Sequence, residues 1–235
     1  MIEFGSVLSL AVSLLTTGDG RLAEIVWLSL RVSLSAVAIG CLVGIPLGAL
    51  LAIGRFRGKA FAETLLSAMM GLPPVVVGLV VYLMLSRAGP LGVFGLLYTP
   101  AAMIIAQAVL VVPLIAALAR QSLSDRHLEY DEWFRSMRLT RRETMATLIW
   151  EDRYSLLTAA LAGFGRAIAE VGAVIIVGGN IDRVTRVMTT TIALETSKGD
   201  LALALALGAI LIGIAIAVNA GVALLRRTAA GAAYA

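Results

Sequence analysis

Two opposite charges lie inside an apolar segment, in the stretch FGRAIAEVGA from Phe164 to Ala173. Arg166 and Glu170 are four residues apart, so on one continuous helix they share a face and can pair. They lie near the middle of the apolar run 155–178, where each charge costs about 2.5–3.5 kcal/mol on insertion scales. Charges at that depth indicate either an ion pair that joins two helices or a transport pathway, where they contact an anion or form a gate.

A second unusual feature is Gly71-Leu-Pro-Pro, which falls near the middle of another apolar run, 61–85. Pro73 and Pro74 lack the backbone N–H that a helix needs. The pattern predicts an unwound turn whose free carbonyls and new helix N-terminus face a polar solute in a cavity. A packing kink is the alternative, because Gly and Pro are common in membrane helices.

The elements that carry these residues are membrane spans. The chain has 235 residues, of which 60% are hydrophobic and 14% are charged, whereas soluble domains average about 45–50% and about 25%. The stretch 1–15 is about five residues too short to span and predicts an interfacial helix rather than a cleaved signal peptide. The predicted fold is an all-α integral membrane protein with about five transmembrane helices. The segments long enough to span are 24–53, 61–85, 98–119, 155–178 and 201–225.

We predict three regions along the chain. Residues 1–20 hold the N-terminal interfacial helix, residues 21–228 form the transmembrane domain, and residues 229–235 are a C-terminal tail. Within the transmembrane domain, the polar segment 120–153 predicts two short amphipathic helices at the membrane surface. A basic loop that rests on anionic lipid is the alternative interpretation.

The basic residues are distributed unequally between the two sides of the membrane. Twelve of the 19 Lys and Arg residues lie after the first, third and fifth spans, and five lie in the other segments. By the positive-inside rule the first group is cytoplasmic. This places the N-terminus outside and the C-terminus in the cytoplasm.

The sequence offers little for catalysis. His127 and Cys41 are the single histidine and cysteine, so we expect no Cys/His metal cluster, no disulfide and no Ser/His catalytic pair. The segment 54–60, GRFRGKA, lacks the glycine spacing and final hydroxyl of a phosphate loop. We therefore expect no enzymatic activity, metal or cofactor. The positions of the basic residues also argue against nucleic-acid binding.

The segment 181–200 follows the fourth span and is expected outside the cell. It carries Arg183, Arg186 and the hydroxyl run Thr189–Thr191. These groups are compatible with docking of a soluble partner, with a short helix that enters the membrane, or with a solvated connection.

Four sequence blocks resemble the permease subunits of bacterial tungstate ABC importers, within a group that includes molybdate and sulfate permeases. The resemblance covers about Leu22 to Asn219, and its blocks are AGFGRAIAEVGAVIIVGGNI, GLPPVVVGLVVYLMLSRAGPLG, LYTPAAMIIAQAVLVVPLIAAL and TRVMTTTIALETSKGDLALALALG. It implies a type I ABC importer permease fold and a homodimer around a translocation pathway. It also implies two cytoplasmic ATP-binding subunits and an external oxyanion-binding protein.

The resemblance further assigns a role to the segment 120–153. In such importers the corresponding loop docks into the ATPase through the pattern E-A-A-x-x-x-G. The matching residues here are Glu132, Trp133, Phe134 and Arg138. Bulky side chains thus replace the two alanines, and an arginine replaces the glycine.

Three functions are compatible with these features of the sequence. The first is the permease subunit of an ATP-driven tungstate importer in the inner membrane, with molybdate or sulfate as alternatives. The second is a stand-alone secondary transporter with Glu170 as a proton relay, which the absence of a visible inverted repeat disfavours. The third is a structural subunit. Under the first, the residues that line or gate the pathway are Arg166, Glu170, Gly71, Pro73 and Pro74.

Overall fold

The computed structural model describes Ser9, Val12, Ser13 and residues 20–233, and from residue 225 onward it describes the backbone alone. The interfacial helix predicted for residues 1–20 lies almost wholly outside the described residues. Across residues 20–233 the chain is helical, without strands. The helices are α1 (Gly20–Ile53), α2 (Lys59–Met70), α3 (Pro74–Leu85), α4 (Pro100–Ser136), α5 (Arg141–Glu151), α6 (Arg153–Ile168), α7 (Gly172–Gly178), α8 (Met188–Lys198) and α9 (Leu201–Ala233), and a 3-10 turn (Gly92–Phe94) precedes α4.

The predicted spans are of two kinds. Among the described residues, α1, α4 and the part of α9 from Leu201 to Leu224 are each long and apolar enough to cross a membrane. The other two candidates are helix pairs, α2 with α3 and α6 with α7, and a sharp bend breaks each pair. If each pair counts as one span there are up to five. The predicted all-α membrane fold is confirmed, with three to five candidate spans among the described residues.

Helix α4 extends well beyond the predicted third span. It has 37 residues, which at 1.5 Å per residue is about 55 Å, whereas the hydrocarbon core is about 30 Å thick. Its apolar part ends at Ala119, and charged residues recur from Arg120 onward. We call residues 120–136 the polar extension. Of the two short helices predicted within 120–153, one is α5. The other is the polar extension, which continues α4 without a break.

The chain forms two compact units, each built from several segments. The first unit holds the described residues up to Ser35, together with Pro73–Gln107 and Ile168–Asn219. The second unit holds Ala36–Leu72, Ala108–Ala167 and the segment from Ala220.

Glycines allow α1 and α4 to approach closely within the second unit. Gly40, Gly44 and Gly48 are four residues apart and form one stripe on α1. A Cβ atom at Gly48 would lie 2.6 Å from the carbonyl oxygen of Ala116. Small residues at this spacing are typical of tight helix contacts in membranes, where packing replaces the hydrophobic driving force.

The polar extension and α5 are joined by a buried carboxylate in the second unit. Asp152, the C-cap of α5, accepts a hydrogen bond from the Ser122 hydroxyl, and Arg126 Nε lies 3.6 Å from its Oδ1. At its other end α5 begins with a capping box, in which Thr140 and Glu143 satisfy each other's backbone N–H groups. These hydrogen bonds hold the pKa of the Glu143 carboxyl below its usual value.

Candidate functional site

The helix that was expected to carry both charges ends between them. Arg166 is in the last turn of α6, which ends at Ile168, whereas Glu170 lies in the break before α7 begins at Gly172. The prediction that the two residues share one continuous helical face is therefore wrong. The cause is the broken backbone, because the i, i+4 relationship requires an uninterrupted helix.

Glu170 is held on two sides within the first unit and is 6% exposed. Its Oε1 accepts a 3.2 Å hydrogen bond from the Ala173 N–H at the start of α7. Its main-chain carbonyl oxygen accepts a 2.9 Å hydrogen bond from the Thr189 hydroxyl. A carboxylate at a helix N-terminus satisfies free backbone donors and is stabilised by the helix dipole. Glu170 therefore fixes the backbone where α7 begins.

Arg166 differs from Glu170 in its exposure. It belongs to the exposed surface of the single chain, within a segment that is otherwise apolar. Its position in the last turn of α6 places a positive charge at the negative end of that helix. The guanidinium is thus accessible from outside the chain, which the buried carboxylate of Glu170 is not.

The break predicted at Gly71-Leu-Pro-Pro is present. Helix α2 ends at Met70 with Gly71 as its C-cap, and Pro73 is the N-cap of α3 with Pro74 at its first position. Proline suits the first helical position because its missing N–H would have no partner there. Gly71 has an ordinary φ of −87°, and a Cβ there would meet nothing closer than 3.5 Å. The two prolines, rather than the glycine, therefore account for this break.

The second halves of the two broken pairs pack against each other in the first unit. A Cβ at Gly78 of α3 would lie 2.7 Å from the Cα of Ala173 in α7. A Cβ at Gly172 would lie 2.8 Å from Val75 Cγ2. Both glycines therefore allow backbone-close packing, which brings the helices that follow the two breaks together.

The hydroxyl run after α7 is buried and is part of the same unit. Thr189, Thr190 and Thr191 lie in the first turn of α8, and all three are buried. Thr190 Oγ1 donates 3.0 Å to Asn180 Oδ1, and Thr191 Oγ1 donates 2.7 Å to the Val187 carbonyl. A short helix is therefore present in this segment, with its first-turn hydroxyls buried, whereas residues 181–184 and 196–200 are exposed.

Two further hydroxyl contacts attach α8 and the loop before it to the first unit. The backbone N–H of Met188 donates 2.8 Å to the Ser29 hydroxyl of α1. Thr185 Oγ1 donates 2.5 Å to the Gly178 carbonyl at the end of α7. Sequence reasoning missed these roles for Ser29 and Thr185. The density of hydroxyl residues around 185–191 was the one available signal.

The residues assigned to ATPase coupling divide by burial. Phe134 is 5% exposed and packs with Leu123 and Leu148 in a core cluster of the second unit, where its ring also stacks on His127. Its neighbour Trp133 is 53% exposed. Glu132 is also exposed. Phe134 is thus a core residue, whereas Trp133 and Glu132 are accessible to a partner.

Arg138 occupies a backbone position that favours glycine. Its φ is +52°, in the left-handed region. Its N–H donates 3.1 Å to the Arg135 carbonyl, and the Leu139 N–H donates 3.2 Å to the Phe134 carbonyl. This pair of bonds is the Schellman motif, whose left-handed residue is usually glycine. Arg138 therefore occupies the left-handed position that glycine usually takes at the end of a helix.

Metal binding has no visible site in this part of the protein. Within the described residues, no group of three or more His, Cys, Asp or Glu side chains is placed to hold a metal ion.

Residues 44–230 match the protein family described as "Binding-protein-dependent transport system inner membrane component". The chain belongs to this family. It is a transport permease, and its apolar helices make it a multi-pass protein of the inner membrane.

Curated relatives match this permease over most of its length. It is 44% identical over 210 residues to the tungstate uptake system permease protein TupB of Peptoclostridium acidaminophilum, with 89% of this chain and 92% of the relative covered. It is 41% identical over 204 residues to a probable anion ABC transporter permease protein of Haloferax volcanii, covering 85% and 88%. It is 38% identical over 174 residues to TupB of Campylobacter jejuni, covering 74% and 73%. Molybdenum and sulfate permeases match at 25–28% identity.

Proposed function

We propose that this permease is the membrane subunit of an ATP-driven importer of tungstate. The support is the gap in similarity: tungstate permeases match at 38% and 44% identity, and molybdenum and sulfate permeases at 28% or less. Molybdate and sulfate are the next candidates, because they too are divalent tetrahedral oxyanions.

The proposed mechanism rests on one observation: Arg166 is exposed within an apolar segment. An arginine exposed to lipid costs about 2.5–3.5 kcal/mol on insertion scales, so it is expected to face protein or a water-filled path. We place it on the translocation pathway of a homodimer, beside the second copy of the chain. A guanidinium offers a planar set of N–H donors that can bind two oxygens of one oxyanion at once.

The other candidate pathway residues receive different roles in this proposal. Glu170 positions the start of α7 through its hydrogen bond to Ala173. Pro73 and Pro74 hold open the break before α3, and Gly71 caps the helix before it. During alternating access, helices broken at these two places can pivot at their breaks without losing internal hydrogen bonds.

The proposed partners are two cytoplasmic ATP-binding subunits and an external oxyanion-binding protein. Trp133 is an exposed aromatic beside the exposed Glu132, and large aromatic side chains frequently anchor protein interfaces. We propose that Trp133, Glu132 and Arg138 contact the ATPase, whereas Phe134 holds the end of α4 from within. ATP hydrolysis then belongs to the separate subunit.

The proposed orientation places the polar extension and α5 in the cytoplasm and α8 outside. It rests on the excess of Lys and Arg on the side of the polar extension. Cysteine labelling tests it in a Cys41→Ser background with a membrane-impermeant maleimide. Ser197→Cys in α8 should react in intact cells, and Ser136→Cys should react only after the membrane is opened. The reverse pattern would invert the assignment.

Reconstitution tests the function itself. Proteoliposomes that contain the permease, its ATPase and ATP, with the binding protein outside, should accumulate labelled tungstate. Uptake should stop when ATP is omitted or when the ATPase cannot hydrolyse it. Unlabelled tungstate should compete better than molybdate, and molybdate better than sulfate. Uptake driven by a proton gradient without nucleotide would refute the proposal in favour of a secondary transporter.

A further inference from the structure

A cavity of about 250 Å³ in the second unit is lined by an excess of positive charge. Four arginines line it, with a single acidic side chain, Asp131, among its walls. They are Arg55, Arg135, Arg138 and Arg141, and they come from the segment after α1, the end of α4, the following turn and the start of α5. Arginines from four separate parts of the chain therefore surround one cavity.

Most of this charge is not neutralised within the structure. Asp131 pairs with Arg135 at 2.6 Å. Arg55, Arg138 and Arg141 make no ion pair among the described residues. Three like charges around one cavity repel one another, and an anion between them removes that repulsion.

Two further wall residues come from the polar extension and from α5. His127 lines the cavity, and its Nδ1 is shielded from water with no hydrogen-bond partner in the described part of the chain. Arg141 and Thr144 belong to the first turn of α5, which begins with the capping box of Thr140 and Glu143.

The size of the cavity limits what can enter. At about 10–15 Å³ of such space for each water, it has room for many water molecules. A tetrahedral oxyanion with a few waters fits that space, but a whole lipid molecule does not.

We propose that this arginine cavity binds a tetrahedral oxyanion group, either a free phosphate or the phosphate of an anionic lipid headgroup. Guanidinium groups suit this chemistry because their fixed N–H geometry matches two oxygens of one phosphate. The site is separate from Arg166 and lies on the polar extension and its neighbours. It does not depend on which anion the permease transports.

The single histidine of the chain provides a direct probe. The full-length permease, without a polyhistidine tag and with isotope-labelled histidine, is placed in phosphatidylcholine nanodiscs. Inorganic phosphate is then added at constant ionic strength while the His127 imidazole resonances are recorded. A saturable shift is expected. No shift, or an equal shift with chloride, would overturn the proposal.

Matched pairs of arginines provide the specificity control. Arg55→Gln and Arg141→Gln each remove a cavity arginine, and each should weaken phosphate binding about tenfold. Arg57→Gln and Arg142→Gln make the same change at exposed neighbours that do not line the cavity, and should leave binding unchanged. If all four variants behave alike, the proposal fails.

Two further experiments distinguish a lipid phosphate, a free phosphate and a protein contact in the cavity. In nanodiscs that contain phosphatidylglycerol, a lipid phosphate should produce the shifted His127 signal before phosphate is added and should blunt the titration. An unchanged titration in those nanodiscs assigns the site to a free oxyanion. A shift that appears only when the ATPase is added would show a protein contact and would refute the site.

Discussion

The Thr189 hydroxyl donates a 2.9 Å hydrogen bond to the main-chain carbonyl oxygen of Glu170, nineteen residues earlier in the chain. This bond attaches the first turn of α8 to the residue whose carboxylate accepts the Ala173 N–H at the start of α7. Because a helix break leaves backbone carbonyls without helical partners, a side-chain donor at this point satisfies one of them. The break is therefore stabilised by a residue that the local sequence around it does not include.

Replacing Thr189 with valine should destabilise the permease while keeping the side-chain shape. The buried carbonyl of Glu170 would lose its donor, at a cost of about 1–3 kcal/mol. The thermal unfolding midpoint in detergent should fall. Thr196→Val is the control, because Thr196 is exposed on the same helix. Equal midpoints for the two variants would contradict a structural role for this bond.

Replacing Gly78 with alanine should disrupt the contact between α3 and α7. The new methyl group would meet the Ala173 backbone at 2.7 Å, and overpacking of this kind costs about 1–3 kcal/mol. The variant should unfold at lower temperature and lose transport. Gly208→Ala has open space around it in α9 and should be neutral or stabilising, since alanine favours helix. A Gly78→Ala variant as stable as Gly208→Ala would show that the helices do not pack this closely.

Removing the Arg166 charge should impair tungstate uptake more than it impairs assembly. Arg166→Gln should lower uptake about tenfold or more, because a charged donor to the anion is lost. Arg166→Lys keeps the charge but lacks the planar guanidinium. Its uptake should lie between that of the native permease and that of Arg166→Gln. Arg87→Gln removes an exposed arginine from the turn after α3 and should transport normally. Normal uptake by Arg166→Gln would remove the pathway role.

Two substitutions of Glu170 separate its charge from its hydrogen bond. Glu170→Gln keeps an oxygen that can accept from the Ala173 N–H, so its unfolding midpoint should stay close to that of the native protein. Glu170→Ala leaves the buried Ala173 N–H without this acceptor, which costs about 1–3 kcal/mol, and should lower both stability and uptake. We expect Glu170→Gln to retain at least half of the uptake. Complete loss of uptake in a stable Glu170→Gln variant would mean that the carboxylate charge itself acts in transport.

Replacing Arg138 with glycine should stabilise the protein in phosphate-free buffer. Its φ of +52° is strained for a residue with a Cβ by about 1–2 kcal/mol, and glycine removes that strain. Gly199→Ala tests the opposite change at the end of α8, where φ is +84° and no atom crowds the site, and it should destabilise by about 1 kcal/mol. Unfolding midpoints that move in the same direction for both variants would contradict this account.

Local chemistry explains why some features could be predicted from the amino-acid sequence. The number of spans follows from the length of the apolar segments, because a bilayer demands about 20 apolar residues for each crossing. The first break follows from Pro73 and Pro74, since the missing N–H groups are a covalent property of proline. Family membership follows from blocks of matching residues.

Other features depend on partners that are distant in sequence. The break at Glu170 contains no proline, and it is accompanied by contacts with Thr189 and by the packing of Gly172 on Val75. Trp133 and Phe134 are adjacent aromatic residues, and both were predicted to contact a partner. In the structure Trp133 is exposed, whereas Phe134 is buried in the core. Periodicity within one segment cannot distinguish these outcomes. They arise when helices from separate parts of the chain meet and bury one side chain instead of its neighbour.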